Sequence, residues 1–154
     1  MPRQPNGAGP GEFLYTPQLT ATTTDPDLGT GGSATGGWRY VSEHLVFWWA
    51  LILFGTSPDP GAGYYQISLP VDPITDNRGL GEGMIIDASA SSEVRPVRVG
   101  CASALATALS VPDLPFIFDT SAPAAITSAL VGAESPFTWA AVDQINVSGL
   151  YQVT

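Results

Sequence analysis

The chain contains no lysine, and ionic side chains of either sign are scarce. All five basic residues are arginines, against fourteen carboxylates, so the formal net charge is −9 at pH 7. A surface with that balance repels phosphate backbones, which excludes nucleic acid as an expected partner. Charged residues make up 12% of the chain, about half of the usual share. We therefore expect partner chains to cover part of the surface.

Cysteine and histidine occur once each. Cys101 alone can form neither an internal disulfide nor a cysteine-based metal cluster. A Ser–His–Asp triad needs a histidine that a third group orients, and no serine motif surrounds His44. We predict that His44 is a strand-end or interface residue, that the protein is not an enzyme, and that it needs no cofactor. The first residues also lack a secretory signal, which indicates folding in a reducing cytoplasm.

The carboxylates are the remaining candidates for chemistry. Asp25, Asp27, Asp59, Asp72 and Asp76 fall in predicted loops, where oxygen-rich side chains can hold calcium. None has the spacing of a known calcium loop, and aspartates beside Pro or Gly are typical turn residues. Two facing carboxylates could cleave a glycan, but no spacing in the sequence reveals such a pair.

The most informative stretch is Leu45–Phe54, which has ten apolar residues in a row. As a helix it would reach only about 15 Å, too short to cross a bilayer. As a strand it is apolar on both faces, which is typical of a strand packed between two sheets, or between a sheet and a neighbouring subunit. The residues that we assign to the core or to an oligomer interface are Phe47, Trp48, Trp49, Leu51 and Leu53.

Short alternating segments separated by turn residues flank this stretch. At 154 residues they predict one all-β domain over 13–154, a jelly-roll-like antiparallel β-sandwich with eight to ten strands. The other predicted strands are Phe13–Pro17, Gln18–Thr24, Trp38–His44, Tyr64–Pro70, Gly83–Ala88, Glu93–Gly100, Leu114–Phe118, Ile126–Val131 and Gln144–Val153.

Four local features carry further expectations. Leu45–Phe54 and Tyr64–Pro70 are predicted to form an antiparallel hairpin. The glycine-rich segment Thr30–Gly37 is predicted to be a loop. Pro96 should restrict its strand to a sheet edge or a bulge. The Ala-rich segment Cys101–Val111 suits a helix on propensity, but its small-large alternation favours a strand.

The aromatic side chains and one sequence triplet admit two interpretations. Trp38, Trp48, Trp49 and Trp139 could form a sugar-stacking surface, but packing in a core or a subunit interface is more common. Asn146–Val147–Ser148 matches the glycosylation triplet, yet it lies inside a predicted strand, so we interpret the match as chance.

Residues 1–12 are rich in proline and glycine, which excludes regular secondary structure. They are either a floppy tail or an extended arm that becomes ordered against another subunit.

Several segments together resemble a β-rich module of virion structural proteins from tailed phages that infect actinobacteria. The segments are Tyr15–Gly31, Gly37–Tyr40, Leu53–Ser57, Gly61–Pro70 and Ser135–Ile145. The resemblance implies a trimeric jelly roll of the kind found on tail fibres, minor tail proteins and head appendages. It marks a fold and not an activity.

Two features favour a capsid decoration protein within that group. The module occupies nearly the whole chain, and its central strand is more apolar than a fibre tip requires. The resemblance thus implies a homotrimer on the outside of the phage head, made in the host cytoplasm. An arm containing Pro2, Arg3, Pro5 and Pro10 would grip the major capsid protein, and no membrane insertion is expected. The alternative is a tail-fibre or minor-tail module that binds host surface glycans, and a glycan hydrolase comes third.

Overall fold

The computed structural model describes residues 11–74, 80–90, 93–100, 116–119 and 130–154. These residues form nine β-strands in antiparallel pairs, and they contain no helix that could cross a membrane. The predicted all-β antiparallel sandwich of eight to ten strands is confirmed. The strands are β1 (Phe13–Tyr15), β2 (Leu19–Ala21), β3 (Ser33–Ser42), β4 (Leu45–Leu53), β5 (Tyr65–Ile67), β6 (Gly81–Asp87), β7 (Glu93–Gly100), β8 (Phe116–Asp119) and β9 (Gln144–Gln152).

The nine strands form one continuous sheet that folds into two layers. Its strand order is β1-β3-β4-β9-β6-β7-β8-β5-β2, so β1 and β2 stand at opposite ends although only residues 16–18 separate them in the chain. The Tyr15 hydroxyl at the end of β1 donates to the Ser68 carbonyl just after β5 at 3.4 Å, which links the two ends of the sheet. The Ser68 N–H donates to the Gln18 carbonyl at 2.9 Å and so extends the pairing of β5 with β2. The result is a broad layer (β1-β3-β4-β9-β6-β7) that faces a small layer (β8-β5-β2) across the core.

Strand β4 is central because both of its edges are paired along its length, with β3 on one side and β9 on the other. Its even-numbered side chains point into the core, where Val46, Trp48, Ala50 and Ile52 are fully buried. The Trp48 indole N–H donates to the Leu80 carbonyl at 2.7 Å. Trp48 thus combines a large apolar surface with a satisfied polar group, as a buried tryptophan requires.

Aromatic side chains around Trp139 pack together at one end of the core. Trp139 stacks on Phe54 with ring centroids 4.8 Å apart, and its indole N–H donates to the Gly132 carbonyl at 2.8 Å.

The buried Tyr151 also has a partner for its polar group, since its hydroxyl donates to the Val71 carbonyl at 2.7 Å. Burial raises the pKa of Tyr151 above its ordinary value, so its phenol remains a hydrogen-bond donor even in alkaline solution.

The predicted hairpin between Leu45–Phe54 and Tyr64–Pro70 is wrong. β4 forms its hairpin with β3 through the turn at Glu43–His44, whereas β5 pairs with β2 and β8 in the small layer. The chain between β4 and β5 is no tight turn. It crosses to the small layer while it bridges residues 24–30, through the pairs Thr24↔Ala62, Asp27↔Asp59 and Thr30↔Thr56.

The predicted loop over Thr30–Gly37 is wrong from Ser33 onward, since β3 begins there. Neighbouring aromatic rings occupy the space that side chains would fill. A Cβ on Gly36 would lie 2.5 Å from Cε1 of Tyr15, and one on Gly37 would lie 2.7 Å from Nε1 of Trp49. Glycine is therefore required in this strand because rings from β1 and β4 lie against its backbone.

The prediction for Pro96 is wrong, because its strand is not at an edge and the register with β6 passes through Met84↔Pro96 without a bulge. β7 is not an edge strand, because it pairs with β6 on one side and with β8 on the other. The described pairs with β8 begin at Val97, directly after the proline. Three predicted segments lie wholly or partly outside the described residues: residues 1–10 of the arm predicted over 1–12, the segment Cys101–Val111, and residues 126–129 of another predicted strand.

Replacing Trp48 with phenylalanine tests the division between the two faces of β4. We expect Trp48→Phe to lower the free energy of unfolding by about 2–4 kcal/mol, because the Leu80 carbonyl loses its donor and a cavity remains. The matched variant Trp49→Phe, on the opposite face, should cost no more than about 1 kcal/mol. Urea denaturation at one fixed protein concentration measures both, and equal losses would contradict the assignment of Trp48 to the core.

Candidate interaction surface

The odd-numbered side chains of β4 point away from the core, onto what we call the outer face of the broad layer. Phe47, Trp49, Leu51 and Leu53 are each partly exposed there, and we call them the β4 column. Strand alternation places them opposite Trp48 and its buried neighbours. Of the five predicted core or interface residues, Trp48 therefore lies in the core and the other four lie together on this surface.

Contacts with neighbouring strands fix the aromatic members of the β4 column. The Trp49 ring lies against Gly37, and its indole N–H donates to the Glu12 carboxylate. The Arg39 guanidinium lies over the Phe47 ring, 5.6 Å from its centroid, within the range of a cation–π contact. These aromatic side chains are held in defined orientations on the surface.

A second set of apolar side chains lies on the same face, which the sequence analysis did not predict. Met84 is opposite Pro96, and Ile86 is opposite Val94, in the register of β6 and β7. We call these four residues the β6–β7 column. Met84 is 41% exposed and Val94 is 55% exposed. The alternation of Met84 and Ile86 with the buried Ile85 was the available signal, because it made that strand apolar on both faces.

A polar column on β9 separates the two apolar columns. It consists of Gln144, Asn146 and Ser148, which point outward between the buried Ile145 and Val147. The three columns are in register, since one row runs from Leu51 through Asn146 to Met84. With strands about 4.8 Å apart, the apolar columns lie roughly 10 Å from each other.

The outer face has the dimensions of a protein interface. Its six strands span about 24 Å, and the nine residues of β4 extend about 30 Å. A standard interface covers about 800 Å² on each partner. Leu14 on the edge strand β1, 81% exposed, and Leu150 on β9 opposite Phe47, 52% exposed, extend the apolar area. Exposed apolar side chains in contiguous rows are candidates for an interaction site, so the outer face is the candidate surface of this chain.

Two buried carboxylates form the most distinctive polar cluster, and the sequence analysis did not single them out. The fully buried Asp143 accepts from the N–H of Ala140 at 2.7 Å and from the N–H of Ser89 at 2.9 Å. Asp87 accepts from the N–H of Ala90 at 3.0 Å, and the Ser89 hydroxyl lies 3.1 Å from Asp87 and 3.3 Å from Asp143. The hydrogen bonds of this cluster connect the turn after β6 to the loop before β9. We call the cluster of Asp87, Ser89 and Asp143 the latch, and its role is structural.

The loop aspartates form turns, which was the alternative to a calcium site. The carboxylates of Asp25, Asp27 and Asp59 each accept a backbone N–H at 2.9 Å, from Ala21, Gly29 and Gly61 respectively. Asp72 is exposed, and Asp76 lies outside the described residues. Within the described ranges, no group of three or more His, Cys, Asp or Glu residues could hold a metal ion.

The remaining candidates for glycan binding or catalysis do not converge on one place. Trp48 and Trp139 are buried, while Trp38 stacks on Phe13 at 4.8 Å and Trp49 lies on the outer face. The four tryptophans therefore form no common stacking surface. His44 is exposed in the turn between β3 and β4.

No protein-family model, curated protein or solved structure matches the chain. The function is therefore inferred from the geometry of the outer face and from the resemblance of the sequence segments given above.

The latch predicts a stability effect at Asp143. We expect Asp143→Asn to lower the free energy of unfolding by about 2–3 kcal/mol, because an amide cannot accept from all of the donors that the carboxylate satisfies. Asp27→Asn is the matched control. Its amide oxygen can still accept the Gly29 N–H, so its cost should stay within about 0.5 kcal/mol. Thermal and urea unfolding measure both variants, and a neutral Asp143→Asn would show that the latch contributes no stability.

Proposed function

We propose that this chain is a non-enzymatic structural protein of a tailed-phage virion, which assembles as a homotrimer and decorates or cements the outside of the capsid. The observation that carries the proposal is the outer face, where the β4 column remains partly exposed. An apolar strand face held in a rigid sheet lowers its free energy by packing on another protein surface. The phage module supplies the expectation of a trimer.

The chemistry of the described acidic residues supports a structural role. The carboxylates of Asp87 and Asp143 bind backbone donors inside the fold, and those of Asp25, Asp27 and Asp59 close their own turns. A pair that cleaves a glycan would instead have to face a cleft open to substrate. The large side chains of the outer face offer contact area rather than reactive groups.

The proposal assigns different tasks to the domain and to the N-terminal segment. The domain makes contacts between copies through the outer face, and the segment with Pro2, Arg3, Pro5 and Pro10 contacts the major capsid protein. The chain enters β1 at the margin of the outer face, because Glu12 bonds to Trp49. A segment that starts there leaves the domain beside the proposed contact between copies.

A charge on the outer face should prevent assembly without unfolding the domain. We expect Trp49→Asp to convert the trimer into a folded monomer, since burying an unpaired carboxylate in an apolar contact is strongly unfavourable. Tyr64→Asp is the matched control, because Tyr64 is 50% exposed next to β5 in the small layer. Analytical ultracentrifugation measures the mass, and circular dichroism checks the fold. A wild-type monomer at micromolar concentration, or a trimeric Trp49→Asp, would contradict the proposal.

Localisation on virions tests the second half of the proposal. Gold-labelled antibody should decorate the heads of particles from the phage that encodes the chain. Recombinant trimer should bind heads that lack it, and removal of residues 1–10 should abolish that binding while the trimer persists. Label on the tail would support the alternative, a tail module that binds host glycans. Unchanged binding after the deletion would exclude the arm as the anchor.

A further inference from the structure

The outer face carries two apolar columns, and their separation bears on how copies meet. We infer that the contact joins unlike surfaces: the β4 column of one copy packs on the β6–β7 column of the next. The inference rests on the proposed homotrimer. A closed ring of three requires head-to-tail contacts, in which one patch meets a different patch, whereas a two-fold dimer packs a patch on itself.

Each subunit has two apolar columns to cover, and contacts between like columns cover only one of them. Contacts between like β4 columns would bury Trp49 and Leu51 and leave the β6–β7 column in water. That column contains Val94, 55% exposed, and Met84, 41% exposed. In a ring of unlike contacts every subunit uses both columns, so all eight apolar side chains are covered. The hydrophobic effect therefore favours the unlike arrangement.

A polar column lies between the two apolar columns. Gln144, Asn146 and Ser148 divide the outer face along β9, so the apolar area is two separate strips and not one patch. Two strips on one subunit can each receive a different neighbour. The amide and hydroxyl groups lie at the inner margin of both strips, where a polar rim is typical of protein interfaces.

The two strips also differ in the kind of side chain that they present. The β4 column has rigid aromatic anchors, since Trp49 is fixed by Glu12 and Phe47 lies beneath Arg39. The β6–β7 column has no aromatic residue and includes Met84, whose flexible side chain adapts to a partner's shape. Anchors on one surface and an adaptable surface to receive them are complementary.

The margins of the two strips also carry charges of both signs. Arg39 stands beside the β4 column, and Glu82 and Arg98 are directly opposite each other beside the β6–β7 column. Among the described residues, none of these three forms an ion pair within 4.0 Å. Oppositely charged groups at these margins would fix the orientation of a contact between copies.

A mixing experiment with two full-length variants tests the inference. Leu51→Asp disables the β4 column, and Met84→Asp disables the β6–β7 column. We expect each variant alone to be monomeric, with the dissociation constant for self-assembly raised by about 100-fold or more. Mixed in equal amounts, they should form a one-to-one heterodimer through the one pair of intact columns, but no trimer. Native mass spectrometry distinguishes the two chains, and circular dichroism confirms that each is folded.

The other outcomes separate this inference from the proposed function. If the wild type is trimeric and Met84→Asp assembles as the wild type does, the contact between copies does not use the β6–β7 column and the inference is wrong, although the trimer stands. Folded variants that stay monomeric when mixed would also overturn it. If the wild type is itself monomeric, the proposed self-assembly fails. Val94→Asp should reproduce Met84→Asp, which guards against a local defect at one residue.

Discussion

The structure depends on a strand that is apolar on both sides. Alternation sends Trp48 and its even-numbered neighbours to one face of β4 and Trp49 and its odd-numbered neighbours to the other. The chain covers the first face with the small layer and leaves the second partly exposed. Because β3 and β9 pair with β4 along its length, the strand cannot turn to hide its second face. The remaining apolar surface can only be covered from outside the sheet.

Glycine and aromatic residues act together in holding that arrangement. A side chain at position 37 would clash with the Trp49 ring, so only glycine fits there. The ring in turn shields the glycine backbone and places its N–H at Glu12. A substitution at Gly37 would therefore displace Trp49, so the backbone of β3 and the chemistry of the outer face are coupled. The same reasoning links Gly36 to Tyr15 on the core side.

The sequence allowed local features of the strands to be predicted, but it did not allow the pairing of the strands to be predicted. Alternation predicted the strand type and the two faces of Leu45–Phe54, because both depend on neighbours within the strand. It could not predict that β4 pairs with β9 rather than with Tyr64–Pro70, since that choice depends on residues about a hundred positions away. The strand at Ser33–Gly37 was missed because the stabilising rings come from other strands. The β6–β7 column was missed because only the register brings Met84 beside Pro96.

The position of the N-terminal segment connects self-assembly to attachment in the proposed trimer. Glu12 is bonded to Trp49 at the margin of the outer face, so the segment before it leaves each subunit next to a contact between copies. Three-fold symmetry then places the three copies of Glu12 at equivalent positions on the same side of the proposed ring. Segments that each bind the shell weakly would bind it with high avidity when the trimer links three of them. A trimer without strong individual anchors could thus stay bound to a repeating shell, and a monomer with the same segment could not.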